Sequence, residues 1–202
     1  VADILAGKVN PSGSLVDTYC YDNYSSLAMK NFTPVTYAGY EEGVIPENAS
    51  TYMIYQEGIY VGYKYYETRY EDYVMGTGNA GDYTYSNDVA FPFGHGLSYT
   101  DFEYSDVSVS YDAATAAYTM KVTVTNTGDM AGKETALVFI RDCVSSVVTP
   151  VACLKGFEKV SLNPGESKDI RIVIPYSDLG LWNEDMKYVV ESGKFNLMIG
   201  RS

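Results

Sequence analysis

The sequence is poor in several residue types, and each shortage excludes something. It has one histidine, His95, and three cysteines, Cys20, Cys143 and Cys153. A zinc site needs several such ligands at set spacings, and none of those spacings occurs, so no metal is expected. An odd, sparse cysteine set is not a disulfide framework. Cys143 and Cys153 lie close enough in sequence to pair if their strands are neighbours. Cations are scarce as well: 14 Lys and Arg stand against 26 Asp and Glu, a formal charge of −12. Phosphate contacts demand a basic surface, which argues against nucleic acid and against an anionic membrane surface as partners. No apolar run approaches the ~20 residues of a membrane-spanning helix, so no insertion of this segment in a membrane is expected.

What is present is an ordinary apolar share, 46% of 202 residues, and 21 tyrosines. That composition is globular, with length for one to two domains. Abundant Tyr with few cations suits neutral polar ligands such as sugars, and it suits a packed β protein as well.

The first seven residues, VADILAG, read as the last turns of a helix closed by a glycine. A free domain seldom starts at the tail of a helix, so the chain is expected to be a piece of a longer protein. Residues 8–16 form a loop with the turn dipeptides Asn10-Pro11 and Ser12-Gly13. From Asp17 to Pro46 no period is sustained, and an irregular surface segment is expected. In YMIYQEGIYVGYKYY (52–66) both alternating faces carry large groups. That predicts a strand or extended segment covered on both sides, with a short helix over 60–66 as the other option. Residues 76–88 read as a loop.

From Phe102 the pattern becomes period-two. Tyr118, Met120, Val122 and Val124 alternate with Thr119, Lys121, Thr123 and Thr125; Ile170, Ile172 and Ile174 alternate with Asp169, Arg171 and Val173; Phe195, Leu197 and Ile199 alternate with Lys194, Asn196 and Met198. Weaker strands are expected near 104–111, 134–141, 152–160 and 186–190. Seven short strands with turn signals between them predict an immunoglobulin- or fibronectin III-like antiparallel β-sandwich. Trp182 is expected to plug the edge of its core.

Several motifs carry competing readings. Gly76-Thr77-Gly78-Asn79-Ala80-Gly81 matches G-x-G-x-x-G, but the following DYTYSND opens a helix poorly, so a plain loop is favoured over a nucleotide site. His95 between two glycines is a turn histidine or a general base. Glu41, Glu42, Glu57, Glu67, Glu71, Asp72, Asp82 and Asp88 form a solvated acidic surface or include a glycosidase pair. The loop from Asp82 to Asp88 offers oxygens to a calcium ion but lacks the ligand order of an EF-hand, so a plain loop is favoured. Tyr52, Tyr55, Tyr60, Tyr63, Tyr65 and Tyr66 read as interdomain packing or as a sugar platform. Asn23, Asn31 and Asn48 head glycosylation sequons, which matter only in a eukaryotic secretory host.

Six segments together resemble the C-terminal part of glycoside hydrolase family 3, the β-glucosidase-like enzymes. They are ADILAGKVNPSGSL (2–15), YQEGIYVGYKYYE (55–67), FPFGHGLSYTDFEYS (91–105), VTVTNTGDMAGKE (122–134), LKGFEKVSLNPGES (154–167) and ESGKFNLMIG (191–200). The resemblance implies a mainly β chain in three parts. Residues 1–16 would be the end of an α/β-sandwich domain, 17–101 a Tyr-rich connecting segment, and 102–202 a fibronectin type III-like β-sandwich. It also implies a retaining, exo-acting parent enzyme. Its Asp nucleophile would sit in a barrel domain, and its Glu acid/base in the α/β-sandwich, both outside this chain. No catalytic residue and no cofactor is therefore expected here. Glu57, Tyr66 and His95 are the candidates for substrate contact.

The expected partners are a β-linked oligosaccharide or glycoside, reached through the missing domains, and those domains themselves. An exposed interdomain seam can also drive oligomers. The compartment stays open between bacterial cytoplasm and export. Cys143 stands where the family often has Pro, Cys153 where it is often polar, and His95 where an aromatic is common; the first two departures favour a Cys143–Cys153 pairing. The alternative reading is a non-catalytic carbohydrate-binding or cell-surface module. A self-sufficient enzyme using Glu57 and a partner carboxylate is the third.

Overall fold

The structure, a computed structural model, describes residues 1–38, 50–78 and 80–201. Glu41, Glu42, the sequon at Asn48 and Asn79 of the glycine-rich motif lie outside the described residues. The chain forms two compact units, residues 1–17 with 92–202, and residues 18–91. Among the described residues no helix is long and apolar enough to cross a membrane.

The chain opens on one helical turn, α1 (Ala2–Leu5), followed by Gly7 in the left-handed region. This is the glycine-closed helix end that the sequence indicates.

The unit of residues 18–91 has few regular elements. β1 (Tyr19–Cys20) precedes the short helix α2 (Leu27–Lys30), then β2 (Val35–Thr36) and β3 (Thr51–Tyr52). Helix α3 (Tyr63–Met75) is the longest element, followed by α4 (Tyr85–Asp88) and β4 (Val89–Phe91). β1 pairs antiparallel with β4, and β2 with β3.

Helix α3 replaces the extended reading at 63–66, where the helix option over 60–66 holds, and it runs on to Met75. Tyr63, Tyr66, Tyr70 and Tyr73 recur at helical spacing, but tyrosines between them also satisfy a period of two. Gly76 at φ +63° ends the helix in the left-handed conformation that glycine adopts without strain. The single turn α4 likewise falls inside the segment read as loop.

Residues 102–200 form the sandwich. Its strands are β5 (Phe102–Asp112), β6 (Ala117–Asn126), β7 (Gly132–Asp142), β8 (Cys153–Leu162) and β9 (Ser167–Pro175). β10 (Leu181–Trp182) and β11 (Tyr188–Val189) make a small hairpin, and β12 (Phe195–Gly200) closes the fold. One sheet has the order β5-β6-β9 and the other β12-β7-β8, all antiparallel.

The core lies between the two sheets. Met120, Val122 and Val124 of β6 and Ile170, Ile172 and Ile174 of β9 come from one sheet; Ala136, Val138 and Ile140 of β7 come from the other. Strict alternation puts these side chains inside and Lys121, Thr123, Asp169 and Arg171 outside. Each fully buried Ile or Val stabilises the fold by roughly 1.5–3 kcal/mol. The edge strand β5 carries a bulge between Ser105 and Ser108, where Asp106 takes a positive φ. Bulges twist an edge away from pairing with another chain.

Trp182 departs from expectation. It does not plug the core edge but stands 61% exposed on the β10–β11 hairpin. A hairpin with two-residue strands lifts its side chains off the sandwich.

Candidate functional site

In the unit of residues 18–91, α3 presents one face to the segment 80–88 and builds a closed polar cluster there. Tyr83 is buried and donates its hydroxyl to the Tyr66 carbonyl (3.2 Å). Arg69 donates from Nη2 to the Ala80 carbonyl (2.8 Å), with its guanidinium 5.4 Å from the centroid of the Tyr83 ring. Tyr85 donates to Glu67 Oε1 (2.6 Å) and packs edge-on against Tyr70. Burial pushes the Glu67 carboxyl up, against the downward pull of the Tyr85 hydroxyl. Burial also pushes the Tyr83 and Tyr85 phenols up, so both stay protonated donors. Tyr83 feels the charges of Asp88 and Glu67 together. The cluster spends its groups on each other.

The residues singled out for substrate contact fall in both units. Glu57 is half-buried before α3, and its carbonyl accepts from the Tyr60 amide (2.8 Å). Tyr66 is 4% exposed on α3, and burial pushes its phenol up, with Cys20 and Ser25 beside it. His95 belongs to the other unit, where its carbonyl accepts from Leu15 (2.8 Å) and its amide donates to Pro92 (3.1 Å). The glycine-rich motif follows a helix rather than a strand, and Gly76, Gly78 and Gly81 all take positive φ. That is a turn-rich loop, as the sequence favours. Among the described residues no group of three His, Cys, Asp or Glu gathers for a metal.

In the other unit, two of the sequence motifs serve each other. Asn10 of KVNPSGSL donates to Ser98 Oγ (3.1 Å) and accepts from the Tyr99 amide (2.6 Å). Tyr99 returns a hydroxyl bond to the Ile4 carbonyl (2.9 Å). Gly96 passes so close to Gly13 that a Cβ at position 96 would collide with the Gly13 carbonyl. Lys8, Val9, Asn10 and Ser12 also line an open groove of about 600 Å³ with Met130, Lys133, Asn163, Glu166 and Lys168. Lys168 is already committed to Glu166 (3.1 Å) and to the Ser161 carbonyl (2.8 Å). The bonds between these two segments are structural.

Glu134 is the buried carboxylate of the sandwich, 3% exposed on β7. Tyr104 donates to its Oε1 (2.9 Å), and Arg201 Nε lies 3.9 Å away. Arg201 also donates to the Gly96 carbonyl (2.7 Å), tying the end of β12 to the 92–99 segment. Burial pushes the Glu134 carboxyl up; the Tyr104 bond and then the Arg201 charge pull it back only in part. A raised carboxyl gives stability that is present below its unfolded value and lost as pH rises through the folded one. Through this residue the chain should therefore lose stability as pH climbs above the ordinary carboxylate range, and Glu134→Gln should flatten that slope. Denaturation midpoints of both proteins across that range check this. A wild-type slope that the variant leaves unchanged would contradict it.

All three cysteines are free and half-buried. Cys153 opens β8 opposite Ile140, and Cys143 follows the end of β7, its amide donating to the Lys194 carbonyl (3.0 Å). Sequence reasoning missed Asn126, which is fully buried at the end of β6. Its side chain accepts from Thr100 Oγ1 (2.6 Å) and the Gly128 amide (3.1 Å), and donates to the carbonyls of Met130 (2.8 Å) and Leu162 (3.2 Å). The turn signal Asn126-Thr127-Gly128 was the only hint of it.

Comparison with known proteins adds the following. A profile of the fibronectin type III-like domain matches residues 134–202. The whole chain is 38% identical to thermostable beta-glucosidase B of Acetivibrio thermocellus, covering 23% of that protein. It superposes on beta-glucosidase 3B of Thermotoga neapolitana, solved with α-D-glucose, with TM-score 0.76 and 34% identity, over 100% of this chain and 24% of that one. It superposes equally, with TM-score 0.76 and 32% identity, on a GH3 beta-glucosidase of Bifidobacterium adolescentis, covering 100% of this chain and 25% of that one. The chain thus spans about a quarter of the length of these relatives.

Proposed function

We infer that this chain, which corresponds to the C-terminal part of the β-glucosidase-like enzymes of glycoside hydrolase family 3, their fibronectin type III-like domain included, is a structural part of a retaining, exo-acting β-glycosidase. The observation that carries this is the match itself: full-length similarity to β-glucosidases that leaves about three quarters of each relative unmatched. On this reading residues 1–16 are the end of an α/β-sandwich domain, 17–101 a connecting segment, and 102–202 the sandwich domain. The nucleophile and the acid/base lie in the unmatched part, and the substrate, a β-linked oligosaccharide or glycoside, binds there. Within this chain Glu57, Tyr66 and His95 remain the candidates for touching it, and Cys143 with Cys153 the candidate disulfide.

The apolar surface supports a buttressing role. Tyr21, Tyr24, Phe32, Ile54 and Tyr55 are exposed in the 18–91 unit, Tyr55 to 79%. Exposed aromatic and aliphatic side chains in such number fit packing against further domains of the same protein.

The test within the full-length protein is Glu57→Gln. A positioning or packing residue should leave turnover of an aryl β-glucoside within about threefold of wild type. Complete loss of turnover in a folded variant would place Glu57 at the substrate and contradict a purely structural role for this chain.

A further inference from the structure

We propose that the flank of the sandwich between β5 and β12 takes one further β-strand, supplied by the segment that follows Ser202 in the full-length protein and paired antiparallel with β12. The existence of that segment rests on the reading above, in which the chain is part of a longer enzyme; the open flank rests on the sandwich alone.

β5 has an alternation without the burial that goes with it. Val107, Val109 and Tyr111 alternate with Ser108, Ser110 and Asp112, as in a strand with one covered face. The register sets Val109 opposite Met120 and Tyr111 opposite Tyr118, so these side chains share the inner face with the core. Tyr111 packs against Tyr118 with ring centroids 4.8 Å apart. Yet Val107, Val109 and Tyr111 are 52%, 48% and 50% exposed, whereas Met120 is 2% exposed. Phe102 and Tyr104, before the bulge, do pack on the core. The second half of β5 therefore lacks a strand opposite it.

The other sheet stops short on the same side. β8 and β9 meet at one flank, which leaves β5 and β12 as the edge strands of the other. Among the described residues β12 has one neighbour, β7. Its inward side chains, Phe195, Leu197 and Ile199, pack on the core but stay half-buried. Cys143 N donates to the Lys194 carbonyl (3.0 Å), which makes these two a hydrogen-bonded pair. The alternation of an antiparallel ladder then points the amides of Phe195, Leu197 and Ile199 away from β7, to the open edge. Such a row is a template for one more strand. Apart from the small hairpin the two sheets hold three strands each, and sandwiches of this class carry about seven.

The end of β12 selects the occupant. Arg201 Nε lies 3.9 Å from Glu134, which the Tyr104 hydroxyl of β5 also reaches (2.9 Å), so β12 finishes at the Tyr104 level of β5. The bond from Arg201 to the Gly96 carbonyl (2.7 Å) anchors it there. A chain that turns back from this point runs along the open edge of β12 and passes Val107, Val109 and Tyr111 in order. That hairpin also has the least loop to close. A separate domain laid on the flank would cover the apolar side chains but bury the β12 amides without partners. A strand serves both.

Amide hydrogen exchange tests this on three proteins: the chain, the chain lengthened by the about 20 residues that follow Ser202, and the full-length protein. The Leu197 and Ile199 amides should exchange freely in the chain and at least about a hundredfold more slowly in the other two. Val109→Ser should leave the urea midpoint of the chain nearly unchanged and lower that of the lengthened chain. Protection in the full-length protein alone would hand the flank to another domain and overturn the proposal. Protection in the chain itself, with a dimer in sedimentation, would give the edge to a second copy and overturn it as well. A full-length protein that ends at Ser202 would do the same. Glycoside hydrolysis plays no part in these readouts. A full-length protein that turns over no glycoside but protects both amides would sink the glycosidase reading and keep the strand, and an active one with both amides unprotected would do the reverse.

Discussion

Replacing Asn126 by Ala should cost the sandwich about 3–5 kcal/mol, a large share of the roughly 5–15 kcal/mol by which domains of this size are stable. The size follows from what the side chain does. One amide satisfies four buried or half-buried groups: the Thr100 hydroxyl, the Gly128 amide, and the carbonyls of Met130 and Leu162. The main chain adds two more links, from Asn126 N to the Glu166 carbonyl (3.0 Å) and from Gly165 N to the Asn126 carbonyl (2.9 Å). Asn126 therefore joins the start of β5, the β6–β7 turn and the β8–β9 turn. Alanine leaves the four side-chain partners without a substitute where water has little access, and that penalty exceeds the mean worth of a hydrogen bond.

The chemistry of the substitution separates this account from a simple volume effect. Asn126→Asp keeps the shape and the acceptor but loses both donors and buries a charge, so it should be at least as costly as Ala. Thr100→Val removes one of the four bonds and should cost about 1 kcal/mol. The readout is urea denaturation of the chain followed at Trp182, with the slope of the transition unchanged. A loss below about 1 kcal/mol for Asn126→Ala would mean that water replaces the amide, and the brace would not be one.

How much of this was legible in the sequence depends on the length of the pattern. β6, β9 and β12 could be read because three or four inward apolar side chains recur at every second position, with mostly polar residues between them, as in a half-buried strand. Helix α3 was legible only as an option over 60–66, because tyrosine has an apolar body and a polar tip and so fits either period. Trp182 was misread because a tryptophan is buried more often than not, and a hairpin of two-residue strands leaves no period to correct that expectation. Asn126 could not be told from an ordinary turn asparagine, since its four partners come from distant parts of the chain. The motif segments at 8–15 and 91–100 were recognised, but the Asn10 and Gly96 contacts between them emerge only once the fold brings them together.

The same limit applies to the site. Half-buried Glu67 stood as one of eight candidate carboxylates and buried Glu134 was not singled out, yet each has a tyrosine hydroxyl bonded to it and a carboxyl pushed up by burial. A retaining glycosidase needs two carboxyls facing each other across a sugar, one as nucleophile and one as acid/base. Glu67 and Glu134 are instead engaged inside their own units.

Hydrolysis of chromogenic β-glucoside and β-xyloside by this chain, run beside the full-length protein, tests the central claim most directly. The account predicts turnover by the full-length protein and none by the 202-residue chain. Turnover by the chain at a rate that survives repurification would contradict it and place a catalytic carboxylate pair within residues 1–202.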